Sequence, residues 1–115
     1  MWLFVFLVLS VLGVSCNGER KELNTEIERG KALFIRNGCT VCHGDLGWGD
    51  GKIATSLRPP PRDFRERGSY KNGSDQASIA RTIEKGVPGT SMPGYPHLVT
   101  ADRRLIAVYI YSLQK

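Results

Sequence analysis

The sequence predicts an all-α fold of three or four short helices joined by long loops. Apolar residues recur at helical spacing in three segments, and no segment shows the sustained alternation of a strand. The stretches between these segments hold most of the glycines and prolines of the chain, which interrupt helices. The length of 115 residues fits one small domain.

The N-terminus is almost wholly apolar from Met1 to Val14. A helix of this length reaches about 21 Å, short of the ~30 Å hydrocarbon core of a membrane, so a signal peptide over residues 1–15 fits better than a membrane span. The segment resembles a bacterial lipoprotein signal, in which Cys16 is acylated after cleavage. An ordinary signal peptide and an uncleaved anchor are the alternatives. We expect a periplasmic protein, tethered to the membrane if Cys16 is acylated.

The first helix is expected to begin at the start of the folded domain. Residues 16–24 are polar and predict a tether, which leaves residues 25–115 for the domain. Thr25 and Glu28 match a T-x-x-E capping box, and the Asn-Gly pair at residues 37–38 is typical of a helix end. One face of this helix is apolar: Ile27, Gly30, Leu33 and Phe34.

Two further helices follow the irregular middle of the chain. One is predicted from Ser74 or Asp75 to Lys85, with Gly86 closing it and apolar residues on one face, Ile79 and Ile83. The last begins after Thr100 and carries two apolar stripes: Leu105, Val108, Tyr109 and Ser112, and Ile106, Ile110 and Leu113.

The loop over residues 44–73 is long for a compact domain. It is rich in glycine and contains three consecutive prolines, Pro59 to Pro61, which hold an extended backbone. About thirty irregular residues are tolerable only where the segment wraps something such as a cofactor.

The motif CTVCH at residues 39–43 predicts what that cofactor is. In a C-x-x-C-H pattern the thiols of Cys39 and Cys42 add to the vinyl groups of a haem, and the adjacent imidazole of His43 ligates the iron. A thioredoxin-like dithiol needs a strand before the motif, where this chain predicts a helix. A zinc site needs four ligands, and the remaining candidates, Cys16 and His97, lack paired spacing. A simple disulfide would leave the long loops unexplained.

The charge of the chain excludes one class of partner. The formal net charge is +5, from 16 Lys and Arg against 11 Asp and Glu, and no dense basic run is interleaved with aromatic residues. This pattern does not indicate nucleic-acid binding. The basic segment from Arg58 to Lys71 favours docking to an acidic protein surface or to anionic headgroups instead.

Four stretches together resemble the class I c-type cytochromes: GKALFIRNGCTVCHG, LRPPPRDF, GVPGTSMPGYPHL and LIAVYIYSL. The resemblance runs from about Glu26 to Leu113. It implies a cytochrome c fold around one covalent haem c, in which the helix before the motif crosses the C-terminal helix near Gly30 and Tyr109. Phe34 and Tyr109 would then contact each other or the haem.

The resemblance also implies a distal ligand in a Met-Pro turn. Met92 lies in such a turn about fifty residues after His43, and it is the sole methionine left once Met1 leaves with the signal peptide. Its loop lies between Pro88 and Pro96, which would keep it rigid. His97, the other imidazole, is the rival ligand, and His–His ligation would lower the reduction potential relative to Met–His ligation.

Other residues are expected around the haem. A ligating imidazole usually donates its second N–H, and the resemblance implies a proline carbonyl as acceptor, from Pro59 or Pro60. Hydrogen bonds to the haem propionates are expected from three residues: Arg62, Trp48 and Tyr70.

An iron whose two axial positions are filled by protein cannot easily bind substrate. The resemblance therefore implies an electron carrier and not an enzyme, with a quinol-oxidising complex, an oxidase or a terminal reductase as redox partners. A fixed haem c subunit of a membrane oxidoreductase complex is the main alternative, which an N-terminal lipid or anchor favours. A haem peroxidase using His97 and a gas sensor with a displaceable Met92 are the other two.

Overall fold

The computed structural model describes residues 15–115 and confirms the all-α class. Four α-helices follow one another: α1 at Ser15–Arg36, α2 at Thr40–His43, α3 at Gln76–Lys85 and α4 at Thr100–Ser112. Two single 3-10 turns, at Ala54–Ser56 and Arg67–Ser69, interrupt the long loop after α2, and residues 15–115 contain no strand.

Helix α1 already includes Ser15, ten residues before the Thr25 of the predicted capping box. The hydroxyl of Thr25 donates to the carbonyl of Lys21 at 2.9 Å, one turn back inside the helix, so the prediction that Thr25 caps it is wrong. The run from Glu19 to Leu23 consists entirely of Glu, Arg, Lys and Leu, which are good helix formers, and it continues the helix outward. The predicted tether, residues 16–24, is therefore an exposed helical arm.

The predicted signal peptide falls almost entirely on residues 1–14, which lie outside the described part of the chain. Within residues 15–115, no helix combines the length and the apolar character that crossing a membrane requires.

Helices α1 and α4 cross at Gly30, as predicted. A β-carbon on Gly30 would overlap the carbonyl of Leu105 and lie 2.9 Å from the β-carbon of Tyr109, so only glycine lets the two helices approach this closely. One turn further along α1, the ring of Phe34 meets the ring of Tyr109 edge to face at 5.3 Å. Phe34 is 1 % exposed and lies at the centre of the core.

Helix α3 packs on the other side of α4. Its N-terminus is capped by Asp75, whose carboxylate accepts from the backbone N–H of Ser78 at 2.9 Å, and it ends at Gly86 with a positive φ of 71°. The buried side chains of Ile79 and Ile83 join the same core as Ile106 and Ile110 of α4. The predicted bounds and apolar face of this helix are confirmed.

Gly30→Ala tests the helix crossing. We expect the added methyl group to push α1 from α4 and to lower the free energy of unfolding by about 1–3 kcal/mol, as overpacking of a core does. The matched control is Gly18→Ala on the exposed arm of the same helix, where a β-carbon meets nothing within 4 Å. The control should leave stability unchanged or raise it by up to ~1 kcal/mol through helix propensity. Denaturant unfolding of both variants measures this, and equal stabilities would contradict the crossing.

Candidate functional site

An open cleft lies between the helices and the two long loops. The open space in and in front of it amounts to about 1150 Å³, and its walls are mostly apolar. Phe34, Ile106 and Ile110 of the core form part of its wall. The motif of residues 39–43 and the loop that carries Met92 both line it. The residues predicted to hold a haem are thus brought to one apolar cleft, which suits a large flat cofactor.

The motif is held as a single helical turn directly after α1. The N–H of Cys39 donates to the carbonyl of Phe34 at 3.2 Å, and the N–H of His43 donates to the carbonyl of Cys39 at 2.9 Å. This turn places both thiols and the imidazole of His43 in the cleft wall. Gly51 packs against the backbone of Val41 and Cys42, where a β-carbon would overlap the chain.

The state of the thiols disfavours the rival interpretations of the motif. Both cysteines are free and half-buried, and burial raises the pKa of Cys39 to about 11. A redox dithiol needs the opposite, a lowered thiol pKa that yields a reactive thiolate. Within residues 15–115, no three His, Cys, Asp or Glu side chains are grouped so that they could hold a metal ion, so the described chain offers no zinc site.

His43 is oriented by one hydrogen bond and one stacked ring. Its Nδ1 lies 3.3 Å from the carbonyl oxygen of Arg62, which can only accept, so Nδ1 carries the proton and Nε2 keeps a lone pair. The ring of Phe64 stacks on the imidazole, with centroids 4.3 Å apart and planes 22° apart. Burial lowers the pKa of His43, which favours the neutral imidazole that a metal ion binds. A neutral imidazole held in place with a lone pair on Nε2 fits a proximal iron ligand.

The prediction that Pro59 or Pro60 accepts from His43 is wrong. Both prolines line the cleft, but the acceptor is the carbonyl of Arg62. The reason is the register of the loop. The N–H of Phe64 donates to Gly47 at 2.8 Å, and the N–H of Gly49 donates to the carbonyl of His43 at 2.8 Å. These two hydrogen bonds place Arg62, the residue that directly follows the prolines, opposite the imidazole of His43.

Met92 is held in the cleft wall by backbone hydrogen bonds. Its N–H donates to the hydroxyl of Thr90 at 3.2 Å, and its carbonyl accepts from Val87 at 3.2 Å. Further on, the N–H of Tyr95 donates to the carbonyl of Ile83 in α3 at 2.7 Å. Burial raises the pKa of Tyr95, and the thiols of the motif add to the rise. Tyr95 lines the same cleft as Cys39 and Cys42, so this loop faces the motif.

The rival ligand His97 lies on the same loop but on its outer side. It is exposed and does not line the cleft, whereas Met92 does. Its ring lies 5.8 Å from that of Tyr95, centroid to centroid. The structure thus places the thioether in the cleft and the second imidazole outside it.

The three residues predicted to bind propionates have different positions. Arg62 lines the cleft. Tyr70 also lines it, but its hydroxyl donates to the carbonyl of Phe64 at 2.7 Å, so this proton is not available for a propionate. Trp48 is not in the cleft wall, so its predicted bond to a propionate gains no support from the lining and stays a prediction. The turn through Gly47 and Gly49 directs it outward, where the guanidinium of Arg65 lies 4.3 Å over its ring.

Phe64 is a site residue that the sequence analysis missed. It is 8 % exposed, stacks on His43 and meets the rings of Phe34 and Tyr70 edge to face at 6.1 Å and 6.0 Å. The available signal was weak: it is the single aromatic residue between Trp48 and Tyr70, in a stretch otherwise polar or proline-rich.

Comparison with known proteins identifies the family. The family model described as Cytochrome c matches residues 27–114. This chain therefore belongs to the cytochrome c family, whose cofactor is covalently bound haem c. The cleft with its two thiols, neutral imidazole and thioether fits that cofactor.

Two relatives are subunits of cbb3-type cytochrome c oxidases. The cbb3-type cytochrome c oxidase subunit CcoP of Azospirillum brasilense is 29% identical over 86 residues, which cover 75% of this chain and 28% of that protein. The subunit FixP of Bradyrhizobium diazoefficiens is 31% identical over 85 residues, which cover 74% and 27%. The chain thus matches just over a quarter of the length of each subunit.

A solved structure shows the same fold. It is the reducing HAO-like protein complex of Kuenenia stuttgartiensis, one chain of which matches with a TM-score of 0.67 and 32% identity. The match covers 76% of this chain and 42% of that chain.

Phe64→Leu tests the stacked ring behind His43. We expect it to lower the free energy of unfolding of the haem-loaded protein by about 1–3 kcal/mol, because a buried aromatic stack and two edge contacts are lost. Trp48→Leu, which removes an exposed ring outside the cleft, should change stability by less than ~1 kcal/mol. Denaturant unfolding followed by haem absorbance compares the two, and the reverse order of effects would contradict the arrangement.

Proposed function

We propose that this protein transfers single electrons between redox partners through one haem c, attached by Cys39 and Cys42 and ligated by His43 and Met92. One observation carries the proposal: these four side chains line one apolar cleft, while the other imidazole lies outside. When bound, the haem supplies an iron that exchanges one electron. With His43 and Met92 both ligating it, the iron would have no open position for a substrate, which favours a carrier over an enzyme.

Rigid support on both sides of the cleft suits that role. His43 is held by the carbonyl of Arg62 and by the ring of Phe64, and Met92 is held through Thr90 and Val87. Ligands that cannot move far keep the same geometry in both oxidation states, so little rearranges when an electron arrives or leaves. A peroxidase or a gas sensor would need the opposite, a distal ligand that leaves easily.

Basic side chains at the rim of the cleft can bind the haem propionates and an acidic redox partner. Arg62 and Lys71 line the cleft among apolar walls, so each can pair with a carboxylate at its mouth. Lys52 and Arg58 of the same loop are exposed. This excess of positive charge supports docking to an acidic redox partner, and such docking weakens as salt is added.

The redox partner is proposed to be a membrane oxidoreductase complex. The two relatives described above are named as subunits of cbb3-type oxidases, which supports a terminal oxidase as acceptor and keeps a fixed subunit role as the second candidate. A quinol-oxidising complex or a terminal reductase would serve as the other partner. Haem c attachment and the apolar N-terminus support a periplasmic site.

Membrane attachment is proposed to occur through acylated Cys16. Cys16 is exposed at the start of the helical arm, and the arm stands between it and the packed part of α1. Such a spacer would keep the cleft clear of the membrane surface while limiting the distance the domain can travel.

Met92→Ala tests the distal ligand. The oxidised wild-type protein should show the near-infrared sulfur–iron charge-transfer band, and the variant should lose it and bind carbon monoxide when reduced, because the iron then has an open position. His97→Gln is the matched control from the same loop and should keep the band. Absorption spectra of the three proteins test the assignment of Met92. A band that is absent from the wild type, or that His97→Gln loses while Met92→Ala keeps it, overturns this assignment.

Cys16→Ser tests the anchor. The full chain, produced in a bacterial host, should sediment with membranes, and the variant should appear in the soluble periplasmic fraction with its haem intact. Cell fractionation and haem staining measure this. A wild-type protein that is already soluble would contradict acylation, and a variant that stays in the membrane would indicate an uncleaved anchor.

A further inference from the structure

Arg103, near the start of α4, is a buried cation. It is only 9 % exposed, although most arginines in proteins face water. Its nearest carboxylate is that of Glu84, at 4.0 Å from Nη2, and the Glu84 side chain is itself 44 % exposed. An ion pair of this length does not account for a buried guanidinium. The partners that satisfy it must lie elsewhere.

Those partners are backbone carbonyls of the loop that carries Met92. Nη1 of Arg103 donates to the carbonyl of Leu98 and lies 3.4 Å from each of the carbonyls of Tyr95 and Pro96. Nη2 lies 3.3 Å from the hydroxyl of Thr100. A guanidinium has only donors, arranged in a rigid plane, so it can gather several carbonyls in one place.

The contacts of Arg103 bracket His97. Pro96 and Leu98 are its neighbours in sequence, and the carbonyls of both point at the one guanidinium. On the Met92 side, the loop is held separately by the bond from Tyr95 to Ile83 and by the close approach of Gly86 and Gly94. Arg103 is thus the side chain that fixes the peptide groups on both sides of the second imidazole.

We propose that Arg103 is a positioning residue that keeps Met92, and not His97, as the distal ligand. The inference rests on the proposed function, because it requires Met92 to bind the iron. Imidazole is a good ligand for iron and a thioether a softer one, so exclusion of His97 depends on geometry. Without the guanidinium, the carbonyls of Pro96 and Leu98 lose this donor, and the turn around His97 keeps one backbone bond, from the N–H of Leu98 to the carbonyl of Tyr95 at 3.2 Å. The imidazole can then turn toward the cleft.

Arg103→Met tests this, and Arg104→Met is the matched control. Arg104 is the next residue on the same helix, but it is exposed and pairs with Glu26 of α1 at 2.6 Å. In the oxidised Arg103→Met protein we expect loss of most of the sulfur–iron band, a fall in reduction potential and an electron paramagnetic resonance spectrum of two imidazole ligands. The control should keep the wild-type band and potential.

The double variant Arg103→Met with His97→Gln identifies the replacing ligand. It should lack the two-imidazole signal, and either its oxidised form should regain the sulfur band or its reduced form should bind carbon monoxide. A two-imidazole signal that persists in the double variant overturns the role given to His97. An Arg103→Met protein with the same band and potential as the control overturns the role given to Arg103.

Arg103→Lys is a milder substitution that tests the same claim if Arg103→Met does not fold. Lysine keeps the charge but loses the planar fork, so we expect a partial loss of the band with wild-type helicity by circular dichroism. A full band in this variant would overturn the requirement for the fork. If the wild-type protein itself lacks the sulfur band, the failure belongs to the proposed Met92 ligation and not to Arg103, so the two claims fail separately.

Discussion

The crossing of α1 and α4 at Gly30 is the contact on which the rest of the site depends. Because no β-carbon stands between the two backbones, the next turn of α1 brings Phe34 against Tyr109. The carbonyl of Phe34 then accepts from Cys39, so the motif begins where the packed helix ends. Two thiols and an imidazole are thereby fixed relative to the core of the protein and not left on a free loop.

The long loops are ordered by the same principle, close approach of backbones at glycine. Gly49 packs on the carbonyls of Pro61 and Arg62, which brings the Arg62 carbonyl to His43. Gly86 and Gly94 meet on the other side, where the Met92 loop leaves α3. Side chains at these positions would separate the segments, and the polar backbone groups between them would lose their partners. The loops thus form the walls of the cleft while their peptide groups stay hydrogen-bonded.

Sequence reasoning recovered what depends on local pattern. The apolar spacing of α3 and α4 follows from residues close together in the chain, whereas the crossing at Gly30 was an implication of the family resemblance. Sequence reasoning failed where a distant contact decides. The acceptor for His43 was set by a loop register that no local motif encodes. The extent of α1 was misjudged for a different and local reason, because helix propensity before Thr25 overrode its capping signal.

Phe64 and Arg103 were missed for a related reason. Each acts through a partner far along the chain or through backbone atoms, and neither carries a spacing that marks it. Arg103 in particular looks like one of two ordinary helix-surface arginines, and only its burial separates it from Arg104. A charged residue inside an otherwise apolar helix face is the signal that can find such a residue.

The central claim is that the cleft holds one haem joined covalently to the motif. The intact mass of the denatured protein, purified from a host with haem attachment machinery, tests it most directly. The mass should equal that of the mature chain plus one haem, and a peptide map should place the addition on the segment with Cys39 and Cys42. A mass of the chain alone, with the two cysteines free or joined as a disulfide, would contradict the claim.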